Sequence, residues 1–219
     1  MQISCSGVLL DLDGVLVDST PAVERVWTGW ALEHGLDPKG TIQRAHGRPS
    51  LATIRELLPD GDHLAEDREV ERREIEDVEG VVPLPGAVEL VTALPEGRWA
   101  VVTSGTRPLA TVRLKAAGLR IPRHFVTATD IRNGKPDPEP YLLGARSLGL
   151  PAADCVAIED APAGVRAGKA AGSRVIAVRT TTSEEELRLA GADWIVNDLA
   201  SLAVEQADSN AGLVLRLSR

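Results

Sequence analysis

From about residue 85 onward, short apolar runs alternate with amphipathic stretches, the rhythm of repeated strand, helix, strand units. The runs Ala100-Val101-Val102, Phe125-Val126, Val156-Ala157-Ile158, Val175-Ile176-Ala177-Val178 and Trp194-Ile195-Val196 are expected strands, and Val8-Leu9-Leu10 adds one near the start. Helices are predicted over 109–117, 161–171 and 183–190. Each is followed by a glycine, Gly118, Gly172 or Gly191, of the kind that ends a helix in a left-handed turn. Strands that are apolar along nearly their whole length are buried on both faces, which predicts a parallel sheet covered by helices.

Residues 20–80 follow a different pattern. Thr20-Pro21 starts a helix that runs to His34, with Val23, Val26, Trp27 and Trp30 on one face. Asp37-Pro38 and Pro49-Ser50 start two more, and a charged stretch from 62 to 79 completes the segment without a strand-like run. The fold class expected is therefore α/β, a doubly wound parallel sheet of the Rossmann kind with an inserted all-helical domain. The core is expected over 1–16 and 84–219 and the insertion over 17–83. The charge run 66–79 reads as a solvated helix face, and Trp27 with Trp30 as helix packing. Residues 207–219 read as either a frayed end or a last short element.

In an open parallel sheet, ligands bind at the carboxyl ends of the strands. The polar residues that directly follow expected strands are Asp11 and Asp13, then Thr103-Ser104-Gly105, then Glu159-Asp160. Strand alternation would point Asp11 and Asp13 the same way, about 6–7 Å apart. Two carboxylates that close need a cation between them or a shared proton, and both remedies belong to metal-assisted phosphate chemistry. In that reading Asp11 attacks phosphorus, and Asp13 protonates the leaving oxygen and later activates water. An isolated Asp-x-Asp-Gly is equally the composition of a solvated turn.

The other groups have the same double character. Thr103 and Ser104 precede Gly105, so hydroxyls and flexible amides meet a phosphate oxygen there, or form a plain loop. Lys135 lies between Gly134 and Pro136 in a segment that prolines keep from becoming helix. Within reach of Asp11 it would hold the nucleophile ionised and offset charge on the transferring group. Glu159-Asp160 is a helix cap or a metal site. Mg²⁺ prefers hard oxygen ligands, and the Asp11 carboxylate, the Asp13 main-chain carbonyl and Asp160 would supply them, with Glu159 as a further ligand or a partner behind them. His46 and Arg48, in a loop between two of the inserted helices, are suited to polyol oxygens and phosphate, or are a polar turn.

Composition narrows the partners. The 219-residue chain is 43% apolar but only 3% aromatic, so Val, Leu, Ile and Ala must fill the core. A net charge of −8 and a pI near 5.1 argue against nucleic acid or an anionic membrane surface. Cys5 and Cys155 lack metal-site spacing and read as buried residues in a reducing cytoplasm. Residues 1–6 carry no basic segment leading into an apolar one, and no run approaches the ~18 apolar residues of a membrane span. A cytoplasmic monomer acting on a small molecule is expected.

Taken in order, the four segments resemble the haloacid dehalogenase-like superfamily, and within it the phosphatases with a helical cap inserted after the first strand. The resemblance spans essentially the whole chain. Residues 11–19 look like the first family motif, 102–105 the second, Lys135-Pro136 the third and 158–172 the fourth. It implies Asp11 as nucleophile passing through an aspartyl-phosphate, Asp13 as acid and base, Thr103 or Ser104 with Lys135 as phosphate holders, and Asp160 with Glu159 as Mg²⁺ ligands. Dehalogenases and phosphonate-cleaving relatives generally lack an aspartate two positions after the nucleophile, so Asp13 favours phosphate esters. β-Phosphoglucomutases carry a histidine where this chain has Val23. The His46–Arg48 loop resembles the specificity loop of 2-deoxyglucose-6-phosphate and glycerol-3-phosphate phosphatases, which implies small sugar or sugar-alcohol phosphates as substrates. A mutase, a glycerol-3-phosphate phosphatase and a catalytically silent module that binds phosphorylated metabolites are the alternatives.

Overall fold

In a computed structural model of the chain, residues 1–45, 49–206 and 212–218 are described. The chain opens with β1 (Gln2–Cys5), β2 (Gly7–Leu10) and β3 (Val17–Asp18), then four helices, α1 (Thr20–Glu33), α2 (Pro38–Ala45), α3 (Ser50–Leu57) and α4 (His63–Glu76). It returns through β4 (Val82–Pro83) to α5 (Ala87–Ala93), β5 (Trp99–Val102), α6 (Arg107–Ala116), β6 (Phe125–Val126), α7 (Glu139–Ser147) and β7 (Cys155–Glu159). The last part holds α8 (Pro162–Ala170), β8 (Arg174–Val178), α9 (Glu184–Leu189), β9 (Trp194–Val196), β10 (Leu202–Gln206) and β11 (Leu213–Leu217).

Six strands form a parallel sheet in the order β6-β5-β2-β7-β8-β9. The chain therefore starts in the middle, builds one side, and then crosses to build the other, so the order reverses between β2 and β7. Period-2 alternation divides each strand between two cores. Val8, Leu10, Val101, Ile158 and Ile176 face one way, toward Leu90, Val91 and Leu114. Leu9, Ala100, Val102, Ala157, Val175 and Ala177 face the other, toward Tyr141, Val165 and Leu187. Two-sided burial is why these strands read as unbroken apolar runs.

The inserted helices close on a smaller core of Val26, Trp27, Trp30, Ala45, Ile54 and Val70. Trp27 and Trp30 meet edge to face with ring centres 5.4 Å apart. At the junction with the sheet, β3 and β4 pair antiparallel, Val17 opposite Pro83, just outside the strand-free stretch expected over 20–80.

The last short element expected as one reading of 207–219 is β11, in a second sheet where β1, β11 and β10 run antiparallel in that order. Residues 213–217 are thus a strand, with Leu213 and Leu215 buried against the main core. Both cysteines are buried and free, and burial pushes Cys5 up to about 11 and Cys155 to about 12. Among the described residues no helix is long and apolar enough to cross a membrane.

Candidate active site

Asp11 follows β2, while Glu159 ends β7 and Asp160 follows it, so the reversal of strand order brings the three carboxylates together. The Asp11 amide donates to the Ile158 carbonyl at 3.0 Å and carries the β2–β7 ladder up to the site. Gly14, at φ 79°, turns the chain away. A Cβ there would overlap the Asp160 carboxylate, so only glycine lets this loop approach so closely. The Asp160 carboxylate also accepts from the Thr181 hydroxyl.

Lys135 is the hub of this cluster. Its Nζ lies 2.8 Å from Asp11 Oδ1 and 2.6 Å from Glu159 Oε1, and donates to the Val102 carbonyl at 3.0 Å; its side chain is 6% exposed. Burial works to lower its pKa, but Asp11 and Glu159 together raise it, so it stays an ammonium. Glu159, 1% exposed, has every reach occupied: Oε1 also accepts from Tyr141 at 2.5 Å, and Oε2 accepts from the Asp160 amide at 3.2 Å. Helix α8 packs its Gly164 onto this carboxylate, and a Cβ at that position would collide with it.

One lysine does not balance three carboxylates. Burial, with Glu159 next, pushes Asp11 up to about 7, and burial raises Asp160 well above the carboxylate range. Each of the three offers an oxygen, all within 4.8 Å of one another. Buried, oxygen-only and carrying surplus negative charge, this donor set fits a hard divalent cation such as Mg²⁺.

Asp13 lines the same cavity as Asp11 but lies beyond the end of the strand. β2 ends at Leu10, and Asp13 lies in the turn, where it bridges to Val17 instead of continuing the strand. Each aspartate has its own side-chain ion pair, Asp11 with Lys135 and Asp13 with Arg113. Ser19 Oγ donates to Asp13 Oδ1 at 2.7 Å, and Arg113 Nη1 of α6 lies 3.0 Å from Oδ2. The other arm of Arg113, Nη2, lies 3.1 Å from Glu74 Oε2 of α4. The charge run is thus not wholly a solvated face. Glu69, Arg72 and Glu76 pair on the outside, but Glu74 turns inward and Glu71 accepts from Thr106 of the core.

Thr103 is buried at the end of β5 and its Oγ1 accepts from the Gly105 amide at 3.1 Å, which leaves its proton to donate; Ser104 is exposed. Thr103, Ser104, Lys135, Asp11, Asp13 and Asp160 line one cavity of about 220 Å³. That is below the ~300–1,000 Å³ of pockets for drug-sized ligands, and suits a small substrate. The inserted helices wall it with Val23, Trp27 and Ile42, beside Glu24, Ser50 and Glu74. Trp27 therefore has a second role besides helix packing. His46 and Arg48 lie outside the described residues.

Tyr141, Arg113, Glu74 and Thr181 were not apparent from sequence. Arg113 and Glu74 sit within helices away from the motifs, and Thr181 in a loop after β8. For Tyr141 a signal existed: it is the chain's single tyrosine, in a helix directly after the Lys135 segment.

A family model for haloacid dehalogenase-like hydrolases matches residues 5–172. Hexitol phosphatase A of Escherichia coli (strain K12) is 44% identical over 205 residues, covering 91% of this chain and 94% of that protein. Glycerol-1-phosphate phosphohydrolase 2 of Saccharomyces cerevisiae is 36% identical over 219 residues, covering 93% of this chain and 86% of its own. Among solved structures, a hydrolase from Pseudomonas syringae is similar at a TM-score of 0.73 and 28% identity, covering 89% of this chain and 94% of its own. The chain belongs to the haloacid dehalogenase-like hydrolase family.

Proposed function

We propose that this protein is a Mg²⁺-dependent phosphatase that hydrolyses small sugar or sugar-alcohol phosphates through an aspartyl-phosphate on Asp11. The observation that carries the reading is the Lys135 ammonium 2.8 Å from Asp11, beside Asp160 and the Thr103 hydroxyl in one cavity. Asp11, Asp160 and the Asp13 main-chain carbonyl would hold the ion, with Glu159 behind or among them. Bound there, it offsets negative charge on the phosphoryl oxygens.

Thr103, Ser104 and Lys135 orient the phosphate so that an Asp11 oxygen lies in line with the leaving oxygen. The bond from Asp11 to phosphorus forms as the phosphorus–oxygen ester bond breaks, and Asp13 passes its proton to the departing alkoxide. Asp13, now a base, takes a proton from water. The hydroxide attacks phosphorus, inorganic phosphate departs, and Asp11 is restored.

The substrate class is supported by the two curated relatives, named for a hexitol phosphate and a glycerol phosphate, and by the mixed wall of Val23, Trp27, Glu24 and Glu74. An apolar Val23 at the mutase histidine position offers no proton carrier. The division into a core over 1–16 and 84–219 and a cap over 17–83 is part of the reading, supported by the β3–β4 pair at the junction.

The test is phosphate release from hexose, pentose, hexitol and glycerol phosphates with and without Mg²⁺, alongside Asp11→Asn. Release that needs Mg²⁺ and vanishes in the variant is expected. Turnover retained by Asp11→Asn overturns the covalent route. Conversion of β-glucose 1-phosphate to the 6-phosphate without release establishes a mutase instead, and binding without turnover establishes a silent module.

A further inference from the structure

We propose that Arg113 is a positioning residue for Asp13, oriented by Glu74 of the cap, and that it fixes the direction in which the Asp13 carboxyl faces the leaving oxygen. The inference rests on the phosphatase reading above and adds a residue that none of the four motifs contains.

Arg113 belongs to the last turn of α6, not to the loops at the strand ends, yet its side chain reaches into the site and is 7% exposed. A guanidinium is planar, so fixing one arm fixes the direction of the other. Glu74, 11% exposed, takes Nη2 at 3.1 Å, beside Trp27 of α1 in the cavity wall. With the plane set, Nη1 meets Asp13 Oδ2 at 3.0 Å while Ser19 holds Oδ1 at 2.7 Å. Both oxygens of the acid group are thereby held, one by a full positive charge.

The fixed direction has a chemical use. When Asp13 gives its proton to the leaving alkoxide, its carboxyl must face that oxygen, and a side chain held at both oxygens needs no reorientation to do so. An alkoxide of a sugar alcohol leaves poorly and needs that proton. A nitrophenolate leaves without it. Because Glu74 comes from α4, and Glu71 on the same helix accepts from Thr106, this arrangement is complete when the cap is seated on α6.

The experiment compares kcat/KM for a hexitol 6-phosphate and for p-nitrophenyl phosphate in wild type, Arg113→Met, Arg113→Lys, Asp13→Asn and the double variant Asp13→Asn with Arg113→Met. We expect Arg113→Met to lose about 10²-fold on the hexitol phosphate, in the range of general acid catalysis, and less than about 3-fold on p-nitrophenyl phosphate. Lysine restores part of the loss, and Arg113→Met adds little once Asp13 is asparagine, because both act in one unit. Equal losses on the two substrates, or additive losses in the double variant, overturn the proposal. If Arg113→Met does not fold, Glu74→Gln replaces it, with a smaller loss confined to the hexitol phosphate expected and a uniform loss overturning. A wild-type protein that releases phosphate from neither substrate overturns the phosphatase reading itself, which keeps the two failures distinct.

Discussion

The Tyr141 hydroxyl donates to Glu159 Oε1 at 2.5 Å, the same oxygen that Lys135 Nζ meets at 2.6 Å. A buried carboxylate oxygen is thus shared between a neutral donor and a charged one, and Tyr141 helps determine where Lys135 stands relative to Asp11.

Tyr141→Phe removes one donor without opening a large cavity. Oε1 keeps Lys135, so what is lost is one hydrogen bond to a charged group, worth ~1.5–3 kcal/mol, and a loss of about 2 kcal/mol is expected. For a chain of this size that lowers Tm by roughly 4–8 °C in calorimetry. Phosphate release should fall about 10-fold, since Lys135 loses part of the support that orients it. An unchanged Tm and rate would remove Tyr141 from the site.

Gly164→Ala has a sign opposite to helix propensity. In an exposed helix the change gains ~1 kcal/mol, but here the new Cβ runs into the Glu159 carboxylate, and overpacking of this kind costs ~1–3 kcal/mol. Destabilisation together with weaker Mg²⁺ activation is expected. A more stable, fully active variant would mean that Glu159 has room to move and is not clamped between α8, Tyr141 and Lys135.

The parts of this site that the sequence discloses are those at strand ends. Asp11, Thr103, Glu159 and Asp160 each follow an unbroken apolar run, and two-sided burial makes such runs easy to find. Arg113 is hidden because α6 presents Arg107, Arg113 and Lys115 with equal local character, and only tertiary packing chooses among them. Glu74 is concealed in the same way within a run of alternating charge. Strand periodicity places Asp13 on the side of Asp11, and both line the one cavity although the strand itself ends at Leu10. Strand β11 carries the alternation of Leu213 and Leu215, but its partners lie at the far end of the chain and beyond a gap in the pattern.

Cap movement is the next expectation. The β3–β4 pair, Val17 with Pro83 and Asp18 with Val82, is a two-strand connection between the sheet and α1–α4, while Glu71 and Glu74 tie α4 to α6. A substrate must enter where those ties close. Small-angle scattering should register a more compact protein when a phosphate-mimicking metal fluoride is trapped with Mg²⁺ than in its absence. Identical profiles would argue for a fixed cap with entry by another route.

The carboxylate cluster links stability, pH and metal with a definite sign. Burial, then Glu159, raises Asp11 from 3.8 to about 7, so the metal-free native state holds a proton more tightly than the unfolded chain does. That contribution is fully present below pH ~4, the unfolded value, and is lost as pH rises through about 7. Asp160, also raised, acts in the same direction. Elsewhere, carboxylates such as Glu69, lowered to about 2 by hydrogen bonds from Arg72 and Arg73, have the opposite sign. The absolute curve therefore mixes both, and the difference between Mg²⁺ and chelator isolates the cluster. Mg²⁺ competes with the proton on Asp11, so its stabilisation should be small at pH 5, grow through pH 6 and 7, and level off by pH 8. Asp160→Asn should abolish most of that increment at every pH while leaving the chelated protein at least as stable as the wild type. A Mg²⁺ increment that is flat from pH 5 to 8 would show that the ion binds without displacing protons from these carboxylates, and would remove Asp11 from its ligands.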